Sequence, residues 1–166
     1  MTGKNKLFWD ASALVKRYTV EPGSAMVDEA FDHSEQFGFV TTMVAAAETF
    51  SILIRKRNDA RISDATFEGA ATELYGDIIN GSAFALFTVS DDTILASFDL
   101  IRKHNLNATD AAMLEIAIRV FRGGSSDRWI LVASDKRLLR AAQAEDLAVL
   151  DPEAATTATL AEMLSR

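Results

Sequence analysis

Two rhythms of apolar residues alternate along the chain. Leu7-Phe8-Trp9, Phe37 to Thr41, Phe84 to Val89, Trp129 to Ala133 and Ala148 to Leu150 are short, nearly continuous runs of the kind that fill a buried strand. Between them apolar positions recur at helical spacing: Ala11 to Tyr18, Ala25 to Asp32, Val44 to Asn58, Asp64 to Ile79 behind Ser63 as cap, Asp91 to about Lys103, a helix opening at Asn107, and Lys136 to Ala144. Gly81 closes the fourth of these, Gly123-Gly124-Ser125-Ser126 makes a flexible connection, Asp151-Pro152 stops the last strand, and Leu160 to Leu164 forms a short tail helix. Strands and helices alternating in this way predict an α/β fold around a parallel sheet. No linker, internal repeat or low-complexity tract divides the chain, and 166 residues of 49% hydrophobic content suffice for one core, so a single domain over residues 1–166 is expected.

Four carboxylates break the apolar pattern: Asp10, Glu48, Asp110 and Asp135 each stand in or beside a stretch that otherwise reads as buried. An unpaired carboxylate taken out of water costs several kcal/mol, so four of them call for a shared reason. Asp10 ends the strand Leu7 to Trp9 and opens a helix, and Asp135 repeats that arrangement after Trp129 to Ala133. In an open parallel sheet such residues face the crevice beyond the carboxyl ends of the strands, where ligands bind. Each also has a plain alternative. Asp10 is a good N-cap, Asp110 sits in a first helical turn where the helix dipole favours negative charge, and Glu48 could lie on a narrow solvated stripe with Ser51 and Arg55. The small residues Ala45-Ala46-Ala47 argue against that stripe, because they let another element approach Glu48 closely.

The segments Phe8-Trp9-Asp10-Ala11-Ser12-Ala13-Leu14-Val15-Lys16, Ala47-Glu48, Asn107-Ala108-Thr109-Asp110-Ala111-Ala112 and Ala133-Ser134-Asp135-Lys136-Arg137-Leu138-Leu139, followed by Asp151-Pro152, carry a family likeness in this order. Across nearly its whole length the chain resembles the PIN-domain ribonucleases, most closely the toxin subunits of VapBC-type toxin–antitoxin pairs. The resemblance implies a three-layer α/β/α fold with a central, mostly parallel sheet and an acidic pocket binding Mg2+ or Mn2+ for cleavage of RNA. On it, Asp10, Glu48 and Asp110 match three core acids, Asp135 matches a less uniform fourth, and Ser12 matches a small hydroxyl residue beside the first. All four acids are thereby expected to be catalytic and metal-binding. One departure is visible: Ala133 stands where many relatives carry a hydroxyl residue two places ahead of the last acid, and Ser134 is directly adjacent instead. The resemblance further implies a cognate antitoxin and a homodimer, and a cytoplasmic location is expected on separate grounds, the absence of cysteine and of a targeting segment.

Clustered carboxylate oxygens with retained water suit a hard ion independently of the resemblance. A zinc site has no support, since cysteine is absent and His33 and His104 lack ligand spacing and read as surface residues. The absence of cysteine fits a reducing cytosol, and neither a targeting segment nor an apolar run near the roughly 20 residues of a membrane helix is seen. A net charge of -7, from 24 acids and 17 bases, opposes nucleic-acid binding unless a local basic rim guides RNA to the pocket. Candidates for the rim are Lys16 with Arg17, Arg55-Lys56-Arg57 with Arg61, and Lys136-Arg137 with Arg140, each of which also reads as a solvated helix face. Asp91 and Asp92 read as helix-start residues, Glu21, Asp28, Glu29, Asp32 and Glu35 as a solvated face, and Phe8, Trp9, Phe37, Phe39, Phe84, Phe87 and Trp129 as core. Two other functions are open. A PIN-like module could bind RNA or a partner without cleaving, and a receiver or aspartyl phosphotransferase would also carry an Asp after its first strand. Phosphatases of that second chemistry want an acid two residues further on, where this chain has Ser12.

Overall fold

The protein is described here by a computed structural model, which covers residues 4–164; Met1 to Gly3 of the polar amino-terminal segment lie outside them. Strands β1 (Asn5–Trp9), β2 (Phe37–Thr42), β3 (Phe84–Phe87), β4 (Arg128–Val132) and β5 (Val149–Leu150) form one sheet in the order β3-β2-β1-β4-β5. Every neighbouring pair is parallel. The helices are α1 (Ala11–Tyr18), α2 (Ser24–Asp32), α3 (Met43–Asn58), α4 (Asp64–Leu74), α5 (Asp91–His104), α6 (Ala108–Phe121), α7 (Lys136–Ala144) and α8 (Thr157–Leu164).

Alternation along β1 builds the two halves of the core. Leu7 and Trp9, both fully buried, face a layer of α1, α2, α3, α4 and α8, where they meet Leu14, Val27, Leu53, Phe67 and Leu160. Phe8 points the other way, toward α5, α6 and α7 with Leu100, Leu114, Leu138 and Leu139. Register extends the division across the sheet, since Leu7 lies opposite Phe39 and Ile130, while Phe8 lies opposite Val40 and Leu131. Strands buried on both faces explain why these runs read as continuous apolar sequence. Trp9 is fixed further by edge contacts to Phe31 and Phe39, at centroid distances of 5.6 and 5.4 Å.

Three expectations are corrected in detail. The helix read as Asp64 to Ile79 leaves α-geometry after Leu74 and widens into a π-turn over Tyr75–Ile79, closed by Asn80 N–H donating to the Tyr75 carbonyl at 2.8 Å. Gly76 weakens the helix there, and the wider turn follows. Strand β3 stops at Phe87 rather than Val89, because its pairing with β2 ends where Thr42 gives way to α3. The tail helix begins at Thr157, three residues before Leu160.

Gly23 is required by the backbone: its φ is +91°, and a Cβ there would stand 2.8 Å from the carbonyl carbon of Pro152. Left-handed geometry and close approach both exclude a side chain. Gly23→Ala is therefore expected to destabilise the fold by about 1–3 kcal/mol, measurable as a lower midpoint in urea denaturation.

Candidate acidic site

The chain leaves β1 for β2 and β3 on one side, then crosses back to place β4 and β5 on the other. The junction of β1 and β4 is thus the switch point of the sheet, where helices depart to opposite faces and a crevice opens. Asp10 follows β1 and Asp135 comes three residues after β4 ends, so the two acids flank that crevice. The extended ladder runs one residue past β1, with Asp10 N–H donating to the Val132 carbonyl at 2.9 Å.

Ser12 ties the two strand ends together. Its hydroxyl donates to Asp10 Oδ2, and its oxygen accepts from the amides of Ser134 and Asp135 at 2.9 and 3.1 Å. Asp10 Oδ2 also caps α1 by accepting from Ser12 N–H at 2.9 Å. Asp135 Oδ1 caps α7, accepting from the amides of Arg137 and Leu138 at 2.7 and 3.0 Å. A carboxylate offers about four lone-pair sites, so such caps leave acceptor capacity on each acid. The capping and ligand-facing readings of Asp10 and Asp135 are therefore compatible.

Asp110 reaches the site from the first turn of α6. Its orientation is set by Asn107, the N-cap of that helix, which accepts from Asp110 N–H at 2.8 Å and donates from Nδ2 to Asp110 Oδ2 at 2.9 Å. Nothing apolar or charged at Asn107 marks it as a site residue, although its spacing three residues ahead of an acid resembles a capping box. Glu48 lies half-buried on α3, whose start is capped by Thr42 accepting from Ala45 N–H at 3.0 Å.

Electrostatics joins these residues from four distant segments. Burial raises Asp110 most, and the charges of Asp10, Asp135 and Glu48 raise it further against Arg137, bringing it to about 7. Asp10, only 5% exposed, is raised by burial and by Asp135, against its Ser12 hydrogen bonds. Glu48 is raised by burial, then by Asp10 and Asp135, with Arg55 acting the other way. Among the described residues none of the four acids forms an ion pair. Nor, among the described residues, do any three acidic or histidine side chains stand close enough together to enclose a metal ion. The structure brings the four acids into one field and does not draw them into a ready cage.

The donor set nonetheless fits a hard cation: unpaired carboxylates that repel one another are relieved by positive charge. Beside Asp135, the buried Ser134 Oγ has no hydrogen-bond partner among the described residues, an orphan that bound water or substrate would satisfy.

The expected basic rim is reduced. Lys16, one of the candidates, is 3% exposed and paired with Glu21 and Glu153. Lys56 is likewise buried against Glu21 and Thr19, so Glu21 does not belong to a solvated face. Arg17 pairs with Asp28 and covers Phe31, Arg57 covers Phe67, and Lys136 pairs with Asp151 and Glu153. Arg55 and Arg137 are exposed and feel the acids directly. His104 is not a surface residue, since it is packed against Glu145 at 2.8 Å.

In the absence of divalent ions, the folded chain holds a proton on Asp110 between its ordinary value of 3.8 and about 7, where the unfolded chain has released it. That stabilisation is present at low pH and lost as pH rises through about 7. In chelator, Asp110→Asn should melt above the parent at pH 8, and the gap should shrink toward pH 5; thermal denaturation at both values measures it.

No protein-family model and no curated protein matches the chain. Solved structures do. PAE2754 from Pyrobaculum aerophilum aligns with a TM-score of 0.63 and 18% identity, covering 98% of this chain and 97% of its own. VapC20 from Mycobacterium tuberculosis, described as a sarcin-ricin loop cleaving toxin, gives 0.60 and 15% over 81% and 94%. VapBC2 from Rickettsia felis, bound to a DNA fragment from its promoter, gives 0.57 and 10% over 88% and 98%. At these identities the likeness is one of backbone path. A parallel sheet between two helical layers, shared with these proteins along most of the chain, gives this protein the PIN-like α/β/α fold.

Proposed function

We propose that the chain is a Mg2+- or Mn2+-dependent endoribonuclease and the toxin of a toxin–antitoxin pair. The observation that supports this most is the set of four unpaired, mutually repelling carboxylates at the switch point of the sheet. The similarity in fold to VapC20, described as cleaving the sarcin-ricin loop, makes RNA the substrate of choice, and the VapBC2 likeness supports an antitoxin partner. A net charge of -7 suits an antitoxin that carries arginines. A homodimer belongs to the same reading. Among the described residues no helix is long and apolar enough to cross a membrane.

Asp10, Glu48, Asp110 and Asp135 would hold the ion, which when bound would acidify an attacking water and neutralise charge growing on the phosphate. Ser12 keeps Asp10 in place by hydrogen bonding and locks the Asp135 turn to the same point. Asn107 does the same for Asp110. One carboxylate of the set accepts the proton of the attacking water, within reach of the scissile phosphate. Near neutral pH Asp110 also carries a proton that a cation must displace.

The lack, among the described residues, of three acids at cage spacing favours a second reading, a PIN-like module that binds RNA or a partner protein without cleaving it. Manganese titration calorimetry separates the two. The nuclease reading expects saturable binding, with proton release visible as a dependence of the heat on buffer ionisation near pH 6.5, and loss of binding in Asp110→Asn. It also expects Asp10→Asn and Asp110→Asn each to slow metal-dependent RNA cleavage by about a hundredfold or more. Wild-type cleavage rates in both variants would remove these residues from the mechanism.

A further inference from the structure

Away from the acids, a line of alternating charges links three of the helices that carry them. Lys56 on α3 pairs with Glu21; Glu21 also meets Lys16 on α1 at 3.3 Å; Lys16 meets Glu153 at 2.8 Å. Glu153 then meets Lys136, the residue after Asp135, at 3.4 Å, and Lys136 pairs with Asp151. Glu48 thus stands on α3, and Asp10 and Asp135 cap α1 and α7, three helices whose lysines share one network. The Lys16 and Lys56 side chains are only 3% and 5% exposed.

Stability alone does not account for burying two lysines. Apolar residues of similar size in place of a buried ion pair are often neutral or stabilising, whereas the pair fixes one arrangement of the elements that carry it. The arrangement matters here because the acids at the sheet edge repel one another, and their separation depends on how α1, α3 and α7 sit against the sheet.

We infer that Lys16 is a positioning residue: through Glu21 and Glu153 it holds the acid-bearing helices α1, α3 and α7 in register, an inference that rests on the reading of the four acids as one site. The route through Glu153 also makes the segment after β5 part of the site's support. Gly23, at the start of α2, packs against the adjoining Pro152 backbone and keeps that segment in place.

The arrangement of pairs allows the link to be cut without stranding a charge. In Lys16→Met, Glu21 keeps Lys56 and Glu153 keeps Lys136; in Glu153→Gln, Lys16 keeps Glu21 and Lys136 keeps Asp151. Amide hydrogen exchange without metal is the primary readout, at Ser134 and Asp135, whose N–H groups bond to Ser12 Oγ across the α1–α7 junction. Each variant is expected to speed exchange at these two amides about tenfold while the thermal midpoint stays level or rises. The double variant should match either single one, because both cut the same link. Unchanged exchange at Ser134 and Asp135 in a folded variant overturns the inference, as does a uniform acceleration that tracks a lowered midpoint. Should Lys16→Met fail to fold, Glu153→Gln, which alters a partly exposed side chain, decides the matter alone. Manganese titration of the unaltered chain tests the site separately, so failure of metal binding and failure of positioning are told apart.

Discussion

Mutual repulsion among carboxylates at one edge of the sheet is the constraint to which the rest of the structure answers. Asp10 and Asp110 are buried, and the charge of Asp10 raises the cost of ionising Asp110. The fold holds them there by using three of the four acids at helix starts, where orphan amides and the helix dipole favour negative charge by roughly 0.3–1 kcal/mol each. Asp10 and Asp135 are caps in their own right, and Asp110 is held by its cap Asn107. Glu48 has no helix start to lean on, and the half-burial of its position on α3 is accordingly milder.

Hydrogen bonding and charge pairing divide the work between near and far. Close to the acids, Ser12 binds the end of β1 to the turn after β4, so that two segments more than a hundred residues apart share one hydroxyl. Elsewhere, Glu145 at the end of α7 gathers Lys103 and His104 from the end of α5 and Arg122 from the end of α6. With the Lys16 network joining α1, α3 and α7, each of these helices is tied to another by ion pairs in which none of the four acids takes part. Cations paired directly with the acids would cancel the field of the site; paired elsewhere, they set geometry and leave most of that field intact.

The strands and most helix limits were legible because each strand is buried on both faces, which forces continuous apolar runs such as Trp129 to Ala133. The four acids were legible for the converse reason, as charges set where apolar residues belong. The status of the lysines was not. Lys16 and Lys56 look like solvated charges because their partners lie elsewhere in the chain, at Glu21 and Glu153, and only the packing of α1, α3 and the segment after β5 brings them together. His104 was misread for the same reason, its partner Glu145 being 41 residues away. Asn107 was local and could have been found from its spacing to Asp110. The widening after Leu74 depends on how one glycine is used, which helical periodicity does not encode.

Net charge is a poor guide to what this surface can bind. Much of the basic complement is committed internally: Lys16, Lys56, Arg17, Lys103, Arg119, Arg122 and Lys136 all pair with carboxylates. Fewer cations are therefore free to attract phosphate than the composition suggests. What remains near the acids is Arg55 on one flank and Arg137 on the other, each close enough to bias the ionisation of a site carboxylate. A polyanion approaching this edge meets the repulsion of the carboxylates, which the two arginines offset only in part. On the proposed reading, a bound cation would relieve that repulsion, and the same negative charge would hold nucleic acid off the unloaded site.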